Sequence, residues 1–279
     1  MRVKNFVVAF FLLCASAAFS QDRVQFPSAE NGNVDAVLTK PADISKAAPA
    51  VILLHHGGGW LNTQTTQYAA ILSKHGYVTL ELMLFRDGST ASPRPSVYVP
   101  HVYGALKYLS SQSFIDGKRI ALSGGSYGGT LALLSASEWA EQAYGAGQRF
   151  AAVAPFYPVC YFISWFNANK PATPGIPSTV YARYGHAPIR IYAAANDDYD
   201  DRDANACPNM VKNLPDEQQS KFTVKVFDNA THGWDQESKE FYAKLACKGK
   251  GCINRNIGNA VVTSEAIADL LQFLNGMPK

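Results

Sequence analysis

Apolar positions along the chain fall into short runs separated by glycine-rich or polar turns, and the runs switch between the periods of strand and helix. Residues 50–54 form an unbroken apolar run that ends in His-His-Gly-Gly-Gly, the pattern of a buried strand feeding a tight loop. Residues 64–75 have helical character and stop at Gly76, and residues 77–84 predict a second strand. Over 97–112, Val102, Leu106 and Leu109 recur at the spacing of one helix face. Residues 119–122 predict a third strand that runs into Gly-Gly-Ser-Tyr-Gly-Gly, followed at once by a small-residue helix over 130–136. Further strands are predicted over 150–156, 188–195 and 222–227, and an amphipathic helix over 259–274 closes the pattern.

Strands alternating with helices imply an α/β fold with a mostly parallel central sheet and helices on both faces. Ligands of such sheets bind at the carboxyl ends of the strands, and each polar motif considered below falls at one of those ends. One stretch, 157–187, breaks the alternation. It holds Tyr157, Tyr161, Phe162, Trp165, Phe166, Tyr181 and Tyr184 among Pro171, Pro174 and Pro177. This predicts a cap insertion in which Trp165 and Phe166 bind the acyl or alcohol part of a substrate. The alternative is that the rings only hold a long excursion to the body.

Composition narrows the class. Apolar residues make up 47% and charged residues 17% of the 279 residues, which suits one globular domain with a sizeable core. At the N-terminus, Arg2 and Lys4 precede an apolar stretch over 6–19, with small residues at Ala18 and Ser20. This predicts a signal peptide over 1–20 and a single domain over 21–279, exported to the periplasm or beyond. An uncleaved anchor is the alternative, although the stretch is short for a spanning helix. Cys14 lies inside the segment, but Phe11-Leu12-Leu13 before it lacks the small residues of a lipoprotein cleavage site. Removal of 1–20 lowers the formal charge from +3 to +1, because 23 basic and 22 acidic residues remain. A nearly neutral chain without a basic run gives no support for nucleic-acid binding, and none is expected. No membrane association is expected after cleavage.

Four cysteines remain in that mature chain, an even number in an oxidising compartment. Cys247 and Cys252 flank Lys-Gly-Lys-Gly and can close a small loop, which leaves Cys160 for Cys207. A four-thiolate zinc site would call for two short Cys-x-x-Cys knuckles that this spacing lacks. No metal or other cofactor is expected.

The candidate chemistry sits in four segments. Gly124-Gly125-Ser126-Tyr127-Gly128 fits the G-x-S-x-G elbow, in which glycines let a serine stand on a sharp strand-to-helix turn. His56-Gly57-Gly58-Gly59 after the first strand matches a loop that donates a backbone N–H to a developing oxyanion. The N–H groups of Gly58 and Tyr127 are the expected oxyanion hole, with Gly59 as a third donor. Of the two histidines after Ser126, His232 follows the strand at 222–227, whereas His186 precedes a strand. His232 is therefore the expected base. The strand at 188–195 ends in Asn196-Asp197-Asp198-Tyr199-Asp200-Asp201; Asp197 is the chosen orienting acid and Asp198 the alternative. Five aspartates within residues 197–203 leave a solvated or cation-binding loop as the rival reading. Arg86 is a candidate for binding a substrate carboxylate, and Glu81, mid-strand, is either buried with a partner or supports the site.

Taken together these segments resemble the dienelactone hydrolase family of the α/β-hydrolase superfamily. The resemblance rests on Val51-Ile52-Leu53-Leu54-His55-His56-Gly57, Gly76-Tyr77-Val78, Tyr103-Gly104-Ala105-Leu106-Lys107-Tyr108-Leu109, Arg119-Ile120-Ala121-Leu122-Ser123-Gly124-Gly125-Ser126, Asn196-Asp197-Asp198 and Thr231-His232-Gly233. It implies an α/β-hydrolase fold with the ordered set Ser126, Asp197, His232 and no cofactor. The best-known members have a cysteine nucleophile where this chain has Ser126, as other members do, and Asp201 stands where the family commonly has proline. The reading that follows is an exported serine hydrolase acting on a small-molecule carboxylic ester. A peptidase or amidase on the same site, and a non-catalytic binding protein on the same scaffold, are the alternatives.

Overall fold

The computed structural model describes residues 19–87 and 93–278; residues 1–18 of the expected signal peptide, with Cys14, lie outside the described residues. In chain order the elements are β1 (Ser20–Pro27), β2 (Asn33–Lys40), β3 (Ala48–Leu54), α1 (Thr65–Lys74), β4 (Val78–Leu82), α2 (Val99–Ser110), β5 (Ile115–Gly125), α3 (Tyr127–Ser135), α4 (Glu138–Tyr144), β6 (Ala152–Phe156), α5 (Cys160–Asn169), β7 (Ile189–Ala194), α6 (Ala206–Lys212), α7 (Asp216–Gln219), β8 (Phe222–Phe227), β9 (Lys239–Ala243), β10 (Cys252–Asn256) and α8 (Ala260–Asn275).

Eight strands form one sheet in the order β1-β2-β4-β3-β5-β6-β7-β8. From β4 to β8 every pairing is parallel, while β1 and β2 add an antiparallel edge. The mostly parallel α/β architecture expected from the alternation is the architecture observed. Successive residues of β3 serve opposite faces, as the strand period requires. Ile52 and Leu54 join a core with α2, α3 and α5, through Leu106, Leu131 and Ile163. Val51 and Leu53 join a second core with α1 and α8, through Leu72, Ala266 and Leu270. Covering both faces leaves only the strand ends open, and this places the site there. Among the described residues, no helix is long and apolar enough to cross a membrane.

Two disulfides join Cys160 to Cys207 and Cys247 to Cys252, with Cα separations of 5.1 and 5.9 Å. Both expected pairs are present, and they are consistent with an oxidising, extracellular compartment. The first ties α5 to α6. The second closes the hairpin of β9 and β10, an antiparallel pair outside the main sheet.

The 157–187 stretch differs from the expected cap. Residues Ile163 and Phe166 on α5, with Val180, Tyr181 and Tyr184, belong to the main core. Phe166 is 3% exposed and packs edge-on against Tyr181 at 5.2 Å. The aromatic rings bind this excursion to the body, because α5 lays its apolar side on the sheet.

Candidate active site

The nucleophile candidate follows directly from β5. Ser126 has φ 54° and ψ −114°, a left-handed conformation that a residue with a Cβ adopts only under constraint. Its N–H donates to the Phe156 carbonyl at 3.0 Å, and its own carbonyl accepts from Thr130 in the first turn of α3. The flanking glycines are needed for closeness. A Cβ at Gly128 would collide with the Leu54 carbonyl, and one at Gly124 would lie 2.8 Å from the Gly128 backbone. The elbow is thus pressed between the end of β3 and the start of α3.

His232 and Asp197 come from the loops after β8 and β7. Those loops are tied together: Ala195 N–H donates to Phe227 O at 3.0 Å and Asn196 N–H to Ala230 O at 3.0 Å. His232 Nδ1 lies 2.7 Å from Asp197 Oδ2, and His232 Nε2 lies 2.7 Å from Ser126 Oγ. A carboxylate can only accept, so Nδ1 carries the proton and Nε2 is left to accept from the serine hydroxyl. Asp197 Oδ1 accepts from Tyr199 N–H at 2.8 Å, and the Tyr199 ring lies 4.3 Å from the His232 ring. Both members of the His–Asp pair are buried, where the interaction is little screened by water. His186, the other candidate base, is exposed and bound to Glu141 at 2.9 Å.

Asp198, the alternative acid, faces elsewhere. Its Oδ2 accepts from Arg255 N–H of β10 at 2.8 Å and its Oδ1 from Arg202 Nε at 2.8 Å. Its carbonyl accepts from Cys247 N–H at 2.8 Å. Asp200 is buried beneath α5, accepting from Tyr161 N–H at 2.7 Å. Burial and then the nearby Asp197 charge push its carboxyl up to about 8. The acidic run is therefore structural to a large degree, with each of these carboxylates given a different partner.

The oxyanion loop departs from expectation at Gly58. Its N–H donates to His56 Nδ1 at 2.8 Å, and Gly59 N–H donates to His56 O at 3.1 Å. Both amides are spent within the loop, Gly58 on the folded-back His56 ring and Gly59 on the His56 carbonyl. Burial, then the charge of Lys239, lowers His56 to about 4, so the ring is neutral at pH 7. His55 Nδ1 meets His56 O at 2.9 Å and its Nε2 accepts from Leu84 N–H at 3.2 Å; this histidine orders the loop. Tyr127 begins α3, where backbone N–H groups have no carbonyl one turn back and the helix dipole is positive.

An open cavity of about 360 Å³ lies over Ser126. His56, Gly57, Gly58, Tyr199, His232 and Gln236 line it on the body side, and Lys239, Phe241 and Asn256 of the β9–β10 hairpin line the other. None of Trp165, Phe166 and Arg86 is among the lining residues. Trp165 is 48% exposed on α5, and Arg86 is exposed, its carbonyl accepting from Leu61 N–H at 2.9 Å. Glu81 is fully buried mid-strand and accepts from the Thr66 hydroxyl at 3.2 Å. The hairpin is the feature that sequence reasoning missed. It left no core pattern to read, because four of the five residues of β9 are exposed and β10 alternates over only five.

Several comparisons bear on this geometry. No curated protein matches the chain. Among solved structures, Thermogutta terrifontis esterase 2 phosphoramylated by tabun is 16% identical with a TM-score of 0.64, covering 91% of this chain and 94% of that one. A dienelactone hydrolase-like promiscuous phosphotriesterase from metagenomic libraries is 16% identical with a TM-score of 0.65, covering 93% of this chain and 99% of that one. At such identity these two share the fold. The sequence profile of the dienelactone hydrolase family matches residues 34–253, most of the chain, including Ser126, Asp197, His232 and the loop at His56–Gly59. The chain belongs to the dienelactone hydrolase family.

Proposed function

We propose that this hydrolase-family chain is a serine esterase that cleaves small carboxylic esters through an acyl-enzyme on Ser126. The observation that carries the reading is the unbroken chain from Ser126 Oγ to His232 to Asp197, two contacts of 2.7 Å at the floor of an open cavity. In the first step Ser126 Oγ bonds to the ester carbonyl carbon while its proton passes to His232 Nε2. The carbonyl oxygen becomes an anion, for which the Tyr127 N–H is the proposed donor. Gly58 N–H joins it by exchanging His56 Nδ1 for the substrate oxygen. The tetrahedral centre then expels the alcohol, which takes the proton from His232. Water repeats the sequence in reverse, with His232 as base, and releases the acid. Asp197 holds the imidazole tautomer and stabilises the imidazolium throughout.

The hairpin face with Phe241 and Lys239 is the proposed substrate wall, in place of Trp165, Phe166 and Arg86. Export is inferred from the basic-then-apolar pattern of residues 1–20 and is supported by the two disulfides.

Turnover of p-nitrophenyl esters against matched p-nitroanilides tests the reading. We expect esters to be hydrolysed at least about 100-fold faster and the activity to vanish in S126A. Anilide turnover equal to ester turnover would favour an amidase, and ester turnover surviving in S126A would remove the reading.

A further inference from the structure

Asp235 is a buried carboxylate that the mechanism does not use. Asp235 lies three residues beyond His232, is 9% exposed, and among the described residues forms no ion pair with Lys or Arg. Two phenols hold it instead: Tyr68 donates to Oδ2 at 2.6 Å and Tyr157 to Oδ1 at 2.7 Å. The Tyr157 oxygen in turn accepts from Gln64 Nε2 at 2.7 Å, so its single proton points at Asp235. Both carboxylate oxygens therefore act as acceptors, the pattern that suits the ionised group. Burial raises the Asp235 carboxyl above its ordinary value, and the two hydroxyls and the nearby imidazole of His232 offset only part of that rise.

Tyr157 connects this carboxylate to the site. Its φ is 34°, a strained conformation for a large aromatic residue. The strain turns the ring edge-on to His232 at 5.1 Å. It also sets the hydroxyl over Gly125, next to the nucleophile, where a Cβ would lie 2.6 Å from the oxygen. One side chain thus touches both the base and the elbow while bonding the unused acid.

We propose that Asp235 is a positioning residue, a second fixed negative charge behind His232 that acts with Tyr157 to hold and stabilise the imidazolium formed during acyl transfer. The proposal rests on the acyl-transfer reading of Ser126 and His232. His232 faces Ser126 from the elbow, Asp197 and Tyr199 from the loop after β7, Tyr157 from the end of β6, and His56 from the loop after β3. Lys239 of β9 lines the same cavity, and Asp200 lies beyond Asp197. Asp197 and Asp235 favour the imidazolium, with Asp200 adding to them where it is ionised; Lys239 opposes it, and neutral His56 is indifferent.

The test compares wild type, D235N and Y68F on the full chain. The His232 ring is titrated by NMR, assigned through loss of its signal in H232Q, and kcat and KM for an aryl ester are followed against pH. We expect D235N to move the His232 midpoint and the acid limb of the rate profile down by about 0.5–1 pH unit. We also expect kcat to fall about tenfold with KM within about twofold. Y68F removes a donor that favours the ionised Asp235, so the carboxyl takes up a proton more readily and the midpoint should shift the same way by less; it also keeps the test open if D235N does not fold. An unmoved His232 midpoint in the folded variants overturns the proposal. A shifted midpoint in a chain that hydrolyses no ester supports the electrostatic link and removes the esterase reading instead.

Discussion

Asp197 and Asp198 are adjacent in the chain and bind different parts of the molecule. Asp197 turns inward to His232 Nδ1 at 2.7 Å. Asp198 turns outward to the backbone of β10, at Arg255 N–H, 2.8 Å. One peptide unit thus joins the candidate base to the hairpin that walls the cavity. Cys247 N–H and Lys248 N–H, donating to the carbonyls of Asp198 and Tyr199 at 2.8 and 3.1 Å, fasten the other end of the same hairpin.

This division of labour predicts opposite signatures for two conservative changes. D197N should lower kcat about 10³–10⁴-fold with KM little changed, because the wrong imidazole tautomer is then favoured. D198N should leave kcat within a few-fold, raise KM as the hairpin loosens, and cost about 1 kcal/mol of stability, because its amide oxygen accepts from Arg255 N–H more weakly than the carboxylate does. The half-exposed Arg202 pair adds little to that figure. Steady-state kinetics and denaturant melts on both variants decide it; equal kcat losses would show that the two carboxylates are not separable.

The hairpin wall makes a second prediction. F241A should raise KM for aryl esters about 3–10-fold, the order expected for losing ring contact in a partly open site, while W165A leaves it unchanged. Unchanged KM in F241A with a rise in W165A would return the substrate to the α5 side.

Asp200 gives a stability prediction with a defined sign. Its folded carboxyl titrates near 8 through burial and Asp197, against about 3.9 in an unfolded chain. The fold holds the protonated form, so this contribution is complete below about pH 4 and is lost as pH rises toward 8. D200N keeps an acceptor for Tyr161 N–H and removes the charge. Its Tm should match wild type at pH 4 and exceed it at pH 8.5, by about 2–4 °C for each kcal/mol lost in a chain of this size. A difference independent of pH would contradict this account of Asp200.

The order of elements was legible because parallel strands buried on both faces read as plain apolar runs. The predicted strand at residues 222–227 coincides with β8, and that at 188–195 brackets β7 by one residue at each end. Edge elements were not. β1 reads Ser-Gln-Asp-Arg-Val-Gln-Phe-Pro with one buried residue, and β9 has four exposed positions of five, so neither carries a core signal. The Ser–Asp–His set could be named because each member ends a strand; chain order left His186 and His232, and only His232 follows a strand. The loop around Gly58 could not, since which amides stay open depends on where the His56 ring folds. That Trp165 and Phe166 lie off the cavity over Ser126 was not legible, because aromatic content says that a segment packs, and the direction of α5 decides against what. Asp235 gave no signal at all: its role depends on Tyr68 and Tyr157, far away in sequence.

Reaction of the intact protein with a fluorophosphonate, read by mass spectrometry of its peptides, tests the central claim most directly. The account predicts one added group, on the peptide bearing Ser126, formed rapidly in wild type and lost in S126A and H232Q. A folded protein that takes up no label, or takes it up elsewhere with Ser126 unmodified, would contradict it.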